Sequence, residues 1–166
     1  MDAMDGALPA IHPALTAHFA LLRRPRRDSD ATDKVFVPPA IERYGLIPQQ
    51  ARMVLLPGHA KIWITPGSNG AALTQEAIPA HGRGSHYSTV DRMCAHGLWG
   101  LTENLDGIRS MTGLLPDGND HVTVVRADGD DETIMPTEGI VFLPRIDNVT
   151  ELVFLDAYGA QQRQEC

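Results

Sequence analysis

The last third of the chain alternates short apolar segments with tight turns at intervals of about 8 to 12 residues, which is typical of all-β regions. Turn residues occur at Pro116-Asp117-Gly118 and at Asp128-Gly129, where proline and glycine supply the backbone angles of a chain reversal. We therefore expect consecutive antiparallel strands, the first two of them joined across Pro116-Asp117-Gly118. The predicted strands are 107–115, 122–127, 133–135, 139–143 and 151–155. Alternation predicts an inward face made of Val122, Val124, Ile140, Phe142, Leu152 and Phe154.

Two short helices are predicted upstream of this region. Segment 13–22 has apolar residues at helical spacing, begins with Pro13 and ends before Pro25. Segment 90–95 follows a Ser or Thr cap at position 88 or 89, and Gly97 suits its C-terminal end.

A hairpin is predicted in the centre of the chain. Segment 61–65 is rich in β-branched and aromatic residues, and it can pair with 71–77 across Ser68-Asn69-Gly70. Segments 40–46 and 48–55 fit either a helix or an extended chain.

The composition limits the architecture to short elements in one domain. The 166 residues include 15 Gly and 12 Pro, which interrupt long helices, and the length matches a single core. We predict an α+β domain at 13–158, with short N-terminal helices packed on a mainly antiparallel twisted β-sheet. A flexible N-terminus at 1–12 and a flexible C-terminal tail at 159–166 would flank it.

The charge distribution argues against nucleic acid as a partner. The net charge is -7, whereas nucleic-acid affinity needs clustered Lys and Arg. The basic run Arg23-Arg24-Pro25-Arg26-Arg27 is the local exception, and Asp28, Asp30 and Asp33 follow it. We interpret this run as a solvated turn, with a docking patch for an acidic partner or an anionic lipid surface as the alternative.

The cysteine content and the hydropathy favour a cytoplasmic location. The only cysteines are Cys94 and Cys166, too few for a disulfide framework. No segment reaches the roughly 18 apolar residues of a membrane span, and the N-terminus lacks the pattern of a signal peptide.

One segment contains residues that could bind a metal or act as a nucleophile. Histidine and cysteine are common zinc ligands, and the candidate ligands are His81, His86, Cys94 and His96. Alternatively, Cys94 could be a thiolate nucleophile with one of these histidines as its base. The spacing lacks the paired ligands of structural zinc sites, so we favour a structural role for these residues and expect no cofactor.

Exposed turns and tryptophans provide the candidate binding residues. Trp63 and Trp99 could line a ligand pocket, although core packing is the simpler interpretation. The rigid turn Pro116, Asp117 and Gly118 could present a binding surface, although its first role is to reverse the chain.

The segment Gly113-Leu114-Leu115-Pro116-Asp117-Gly118, followed by Val122-Thr123-Val124-Val125, resembles a family of uncharacterised actinobacterial proteins. These proteins have a Gly-Leu-x-Pro-Asp-Gly turn followed by a Val-rich strand. Ile62-Trp63-Ile64-Thr65-Pro66-Gly67 is similar to their central strand and turn. The resemblance implies a β-rich fold, and it implies no catalytic residues because no activity is known for the family.

The function that these observations favour is a non-catalytic binding or accessory module with a protein or small-molecule partner. No complete catalytic or nucleotide-binding motif is present. The alternative is a metal- or thiol-dependent enzyme, hydrolase-like, that uses the segment of His81, His86, Cys94 and His96. A metal site would lose its ion and much of its stability when a ligand is replaced.

Overall fold

The computed structural model describes residues 10–31, 36–58, 60–76 and 84–166. In these ranges the chain is mainly antiparallel β-sheet with a few short helices. None of these helices has the length and apolar character that a membrane crossing requires. The helices are α1 (Pro13–His18), α2 (Ala20–Arg23), α3 (Pro38–Tyr44) and α4 (Val90–His96), with single 3-10 turns at Asp28–Asp30 and Pro48–Gln50.

The strands form three antiparallel sheets. The first has the order β1-β2-β3-β4, with β1 (Arg52–Leu55), β2 (Lys61–Pro66), β3 (Gly70–Glu76) and β4 (Gly84–Thr89). The second has the order β5-β6-β9, with β5 (Leu98–Glu103), β6 (Arg109–Leu114) and β9 (Ile140–Leu143). The third has the order β11-β10-β7-β8, with β7 (Val122–Arg126), β8 (Glu132–Ile134), β10 (Val149–Leu155) and β11 (Gln161–Glu165).

The second sheet contributes to two apolar clusters, one on each face. The first cluster joins it to the first sheet and includes Ile62, Ile64, Leu73, Leu98, Leu114 and Ile140. The second cluster joins it to the third sheet and includes Met111, Val122, Val124, Val141, Leu152 and Phe154. Alternate residues of β6 therefore belong to different clusters, and after the exposed Arg109 both faces of this strand are buried.

The structure confirms the predictions that depend on residues close together in the sequence. Strands β2 and β3 pair as the predicted central hairpin. Helix α4 begins after Thr89, whose hydroxyl accepts a hydrogen bond from the Arg92 amide, and ends at Gly97 with φ +74°. Strands β7 and β8 pair across Asp128-Gly129. The residues of the predicted inward face are buried, except for the half-buried Phe142.

The prediction of one continuous helix over 13–22 is wrong. Phe19 has extended backbone angles and separates α1 from α2. The Ala20 amide donates to Asp117 Oδ1 at 2.8 Å, and the Asp117 amide donates to the His18 carbonyl at 2.8 Å. A side chain from the distant turn thus caps the second helix, because it satisfies an amide that a continuous helix would bond internally.

The prediction that Pro116-Asp117-Gly118 joins two paired strands is also wrong. Strand β6 pairs with β5 and β9, whereas β7 pairs with β8 and β10. The turn therefore carries the chain from the second sheet to the third. Its position is fixed by the α1–α2 junction rather than by a hairpin.

The C-terminal segment 159–166, for which we expected a flexible tail, contains strand β11. All five residues of this strand are in register with β10. Of the predicted flexible N-terminus, residues 1–9 lie outside the described residues.

Part of the basic run is buried rather than solvated. Asp30 is fully buried and accepts hydrogen bonds from both terminal nitrogens of Arg24, each at 3.0 Å. The amides of Arg27 and Met53 also donate to this carboxylate. Burial opposes ionisation of Asp30, but the bonds from Arg24, Met53 and Arg27 outweigh it, so its pKa lies below the usual value. The solvated-turn interpretation is thus wrong for Arg24 and Asp30, which join the turn to β1.

Candidate functional site

The interior between the first two sheets is apolar at one end and polar at the other. On the first sheet, Leu73 pairs with His86 and Gln75 pairs with Gly84, so Leu73, Gln75 and His86 share the inner face. On the second sheet, alternate residues of β5 and β6 point towards this inner face. These residues are leucines at one end of the two strands and threonine and serine at the other end. We call Gln75, His86, Thr102, Ser110 and Thr112 the polar end.

A connected set of hydrogen bonds links the two sheets at the polar end. Gln75 Oε1 accepts from Thr102 Oγ1 at 3.3 Å and from Thr112 Oγ1 at 3.2 Å. The Thr102 and Ser110 hydroxyls lie 2.7 Å apart. All four of these residues are buried, and Gln75 is only 2% exposed. The network therefore fixes the glutamine side chain inside the protein.

The amide nitrogen of Gln75 completes no hydrogen bond with the described residues. Nε2 is buried and carries two donor hydrogens. Leaving a buried donor unpaired costs about 1–3 kcal/mol, so most buried polar groups in native proteins have a partner. The polar end thus presents a donor with no partner among the described residues, next to side chains that form a fixed network.

His86 provides a second unpartnered nitrogen next to Gln75. Its Nε2 is buried and has no hydrogen-bond partner in the described ranges. Gln75 pairs with Gly84, two residues before His86, and such diagonal neighbours on a sheet lie about 7–8 Å apart. Burial lowers the pKa of His86, which favours the neutral imidazole.

A glycine makes room for the His86 ring. A Cβ atom at Gly100 would lie 2.3 Å from His86 Cδ2 and 2.9 Å from Nε2. Any larger residue at this position of β5 would displace the ring. Gly100 therefore sets the depth to which the histidine enters the interior.

The structure does not bring the other metal-ligand candidates to the polar end. Cys94 is buried in the first apolar cluster, where burial and the charge of Asp91 raise the pKa of its thiol. His96 is exposed at the C-terminal end of α4. His81 lies outside the described residues. Within the described ranges, no three His, Cys, Asp or Glu side chains are grouped so that they could hold a metal ion.

The two tryptophans are mainly packing residues. Trp63 is 7% exposed and pairs with Thr74, on the face of the first sheet opposite to Gln75. Trp99 is half-buried, and its ring lies 5.4 Å from that of Phe154 in the second cluster. It also covers Gly113, where a Cβ atom would lie 2.4 Å from the indole.

The turn residues Pro116, Asp117 and Gly118 line a cavity of about 420 Å³ next to α2. Asp117 is already engaged, because it accepts from the Ala20 amide and from Arg23 at 2.7 Å. Its carboxylate therefore holds the helix junction in place.

Sequence reasoning found His86 but missed the rest of the polar end. The signal was the position of Gln75, two residues after Leu73 and hence on the same face of the strand. Thr102, Ser110 and Thr112 gave no signal, since threonine and serine in strands also suit a solvated face.

Comparison of the chain with models of protein families, with curated proteins and with solved structures gave no match.

Proposed function

We propose that this chain is a non-catalytic binding domain that holds a small polar molecule at the polar end. The observation that carries this function is the buried Gln75 Nε2, which has two donor hydrogens and no partner among the described residues. A ligand that accepts from this nitrogen would recover the cost of the unpaired donor.

A small molecule fits this location better than a protein partner. Gln75, Ser110 and Thr112 are each no more than 2% exposed, so a protein surface cannot reach them. A single bound water is the simplest competing occupant, because buried waters commonly satisfy two to four polar groups. A binding experiment separates the two occupants, because only a ligand competes with other small molecules for the polar end.

The chemistry of the polar end favours binding over catalysis. Its side chains are an amide, three hydroxyls and a neutral imidazole, and none of the hydroxyls is hydrogen-bonded to His86. Nucleophilic catalysis needs the base within hydrogen-bond reach of the nucleophile. The alternative that uses Cys94 as a thiolate is disfavoured by burial of the thiol, which raises its pKa.

We also propose that the chain forms an α+β domain whose N-terminal helices pack on the first sheet. Leu15 and Phe19 support this, because they are fully buried together with Ile62 and Leu73.

We further propose a cytoplasmic location. The two free cysteines, at most half-exposed, are compatible with a reducing compartment.

The test is a binding screen of the wild type and the Gln75→Met variant. Small sugars, polyols, amides and carboxylic acids are screened by ligand-observed NMR. Methionine keeps the length of the side chain and removes the amide, so we expect binding to weaken at least tenfold. Gln161→Met is the matched control, because Gln161 is exposed on β11.

The stability of Gln75→Met separates a binding role from a structural one. The variant removes the unpaired donor, worth about 1–3 kcal/mol, but it also leaves the buried Thr102 and Thr112 hydroxyls without their acceptor, which costs about 1–3 kcal/mol each. Urea denaturation should therefore detect a net loss of about 1–3 kcal/mol. A loss of this size without any Gln75-dependent binding would contradict the proposed function and leave Gln75 a structural role only.

A further inference from the structure

We infer, on the basis of the proposed function, that the polar end binds a small neutral molecule with several hydroxyl groups, and that it discriminates against anions. Three observations support this ligand class. The first is the direction of the hydrogen bonds within the polar end. The second is that the described side chains facing it carry no charge, and the third is that both donors and acceptors remain free for a ligand among the described residues.

Each of the three hydroxyl groups at the polar end already donates its proton in a hydrogen bond. Each hydroxyl has one proton, and Thr102 and Thr112 give theirs to Gln75 Oε1. The 2.7 Å contact between Thr102 and Ser110 must then use the proton of Ser110. What remains are lone pairs on Ser110 and Thr112, beside the two hydrogens of Gln75 Nε2.

The remaining groups match an alcohol better than a carboxylate. A ligand hydroxyl can accept from Gln75 Nε2 and can donate to a lone pair of Thr112 or to a neutral His86. A carboxylate only accepts, so it would leave these lone pairs facing its own negative charge. Neighbouring hydroxyls on one small molecule would satisfy both kinds of group together.

No described charged side chain at the polar end could neutralise an anion. Glu103 and Arg109 lie opposite each other on the end of β5 and β6, in phase with the other face of the second sheet. Arg52 shares the inner face of the first sheet but lies three strands from His86. Its guanidinium donates to the carbonyls of Arg24 and Gln50. With respect to the described side chains, an anion would therefore lose its hydration without gaining an ion pair.

The test uses matched neutral and anionic probes of the same carbon skeleton. Glycerol is compared with glycerate, and erythritol with erythronate, by ligand-observed NMR on the full chain at neutral pH. Ligands of this size should bind in the millimolar range. We expect each polyol to bind at least tenfold more tightly than its acid, with Gln75→Met abolishing the preference.

A second variant keeps the test informative if Gln75→Met folds poorly. Thr112→Val has almost the same shape but removes one lone-pair site and the hydrogen bond that Thr112 donates to Gln75 Oε1, so it should weaken polyol binding more than it weakens acid binding. Binding of the acids equal to or tighter than that of the polyols, with the same dependence on Gln75, would overturn the ligand class and leave the proposed binding function intact. If neither series binds in a Gln75-dependent way, and no compound of the wider screen does, both inferences fail.

Discussion

The contact between His86 and Gly100 can be tested by adding one methyl group. In Gly100→Ala the new Cβ would lie 2.3 Å from His86 Cδ2, whereas ordinary van der Waals contact begins near 3.4 Å. The ring must therefore retreat by about 1 Å or change its rotamer. Because Gly100 lies in the interior of β5, the backbone itself tolerates alanine.

Two opposing contributions set the magnitude. Overpacking of this size costs about 1–3 kcal/mol, while alanine stabilises a strand interior by about 0.5–1 kcal/mol relative to glycine. We expect a net loss of about 0.5–2 kcal/mol for Gly100→Ala. In a His86→Ala background the clash is absent, so the same substitution should stabilise the protein by about 0.5–1 kcal/mol.

The assay is urea denaturation of the wild type, the two single variants and the double variant. The cycle isolates the coupling between positions 86 and 100, expected at about 1–3 kcal/mol. An NMR titration of the imidazole adds an independent readout, because a ring pushed towards water should have a pKa closer to its ordinary value of about 6.5. Equal costs of Gly100→Ala in both backgrounds would refute the described position of the ring.

Two further predictions concern the N-terminal region. Asp30→Asn removes the carboxylate that accepts from both terminal nitrogens of Arg24 but leaves Arg24 its ion pair with Glu138 at 3.1 Å, so it should cost about 1.5–3 kcal/mol in urea denaturation; a loss below about 0.5 kcal/mol would contradict the buried pair. Because the folded pKa of Asp30 is depressed, its stabilisation is present above the unfolded pKa of about 3.9 and is lost as the pH falls through the lower folded value. The wild type should therefore lose more stability in acid than Asp30→Asn does. Asp117→Ala should cost about 1 kcal/mol by removing the Ala20 cap, and Asp117→Asn should restore part of this loss because its carbonyl still accepts.

Elements whose determinants are adjacent in the sequence could be predicted. The boundaries of α4 follow from Thr89 and Gly97, and the β7–β8 hairpin follows from Asp128-Gly129. In each case the residues that define the element also end it. Such signals do not depend on which sheet the element joins.

Elements fixed by distant contacts could not be predicted. The break at Phe19 depends on Asp117, 97 residues away from Ala20. The burial of Asp30 likewise depends on the Met53 amide of β1. A charged residue in a polar stretch gives no sign of burial when its partners come from another part of the chain.

The polar end was hidden for a related reason. Strand β6 is covered on both faces, so its alternation of Ser110 and Thr112 with Met111 does not separate an inside from an outside. The usual inference from period two assumes that one face of the strand meets water. Because β6 belongs to the sheet that packs between the other two, its polar residues mark the polar end of the interior rather than a solvated face.

The distribution of the unpartnered polar atoms in the described part of the chain is the one that the proposed binding role requires. Thr102, Ser110, Thr112 and Gln75 Oε1 form a connected network, beside which one nitrogen of Gln75 and one of His86 have no partner among the described residues. Both lie on one face of neighbouring strands, beside a glycine that admits the imidazole. Trp63 Nε1 and Thr65 Oγ1 are also unpartnered among the described residues, but they lie on the opposite face of the first sheet and face no such network. Since each unpaired donor lowers stability, the ligand that we propose would complete the hydrogen bonds of both nitrogens.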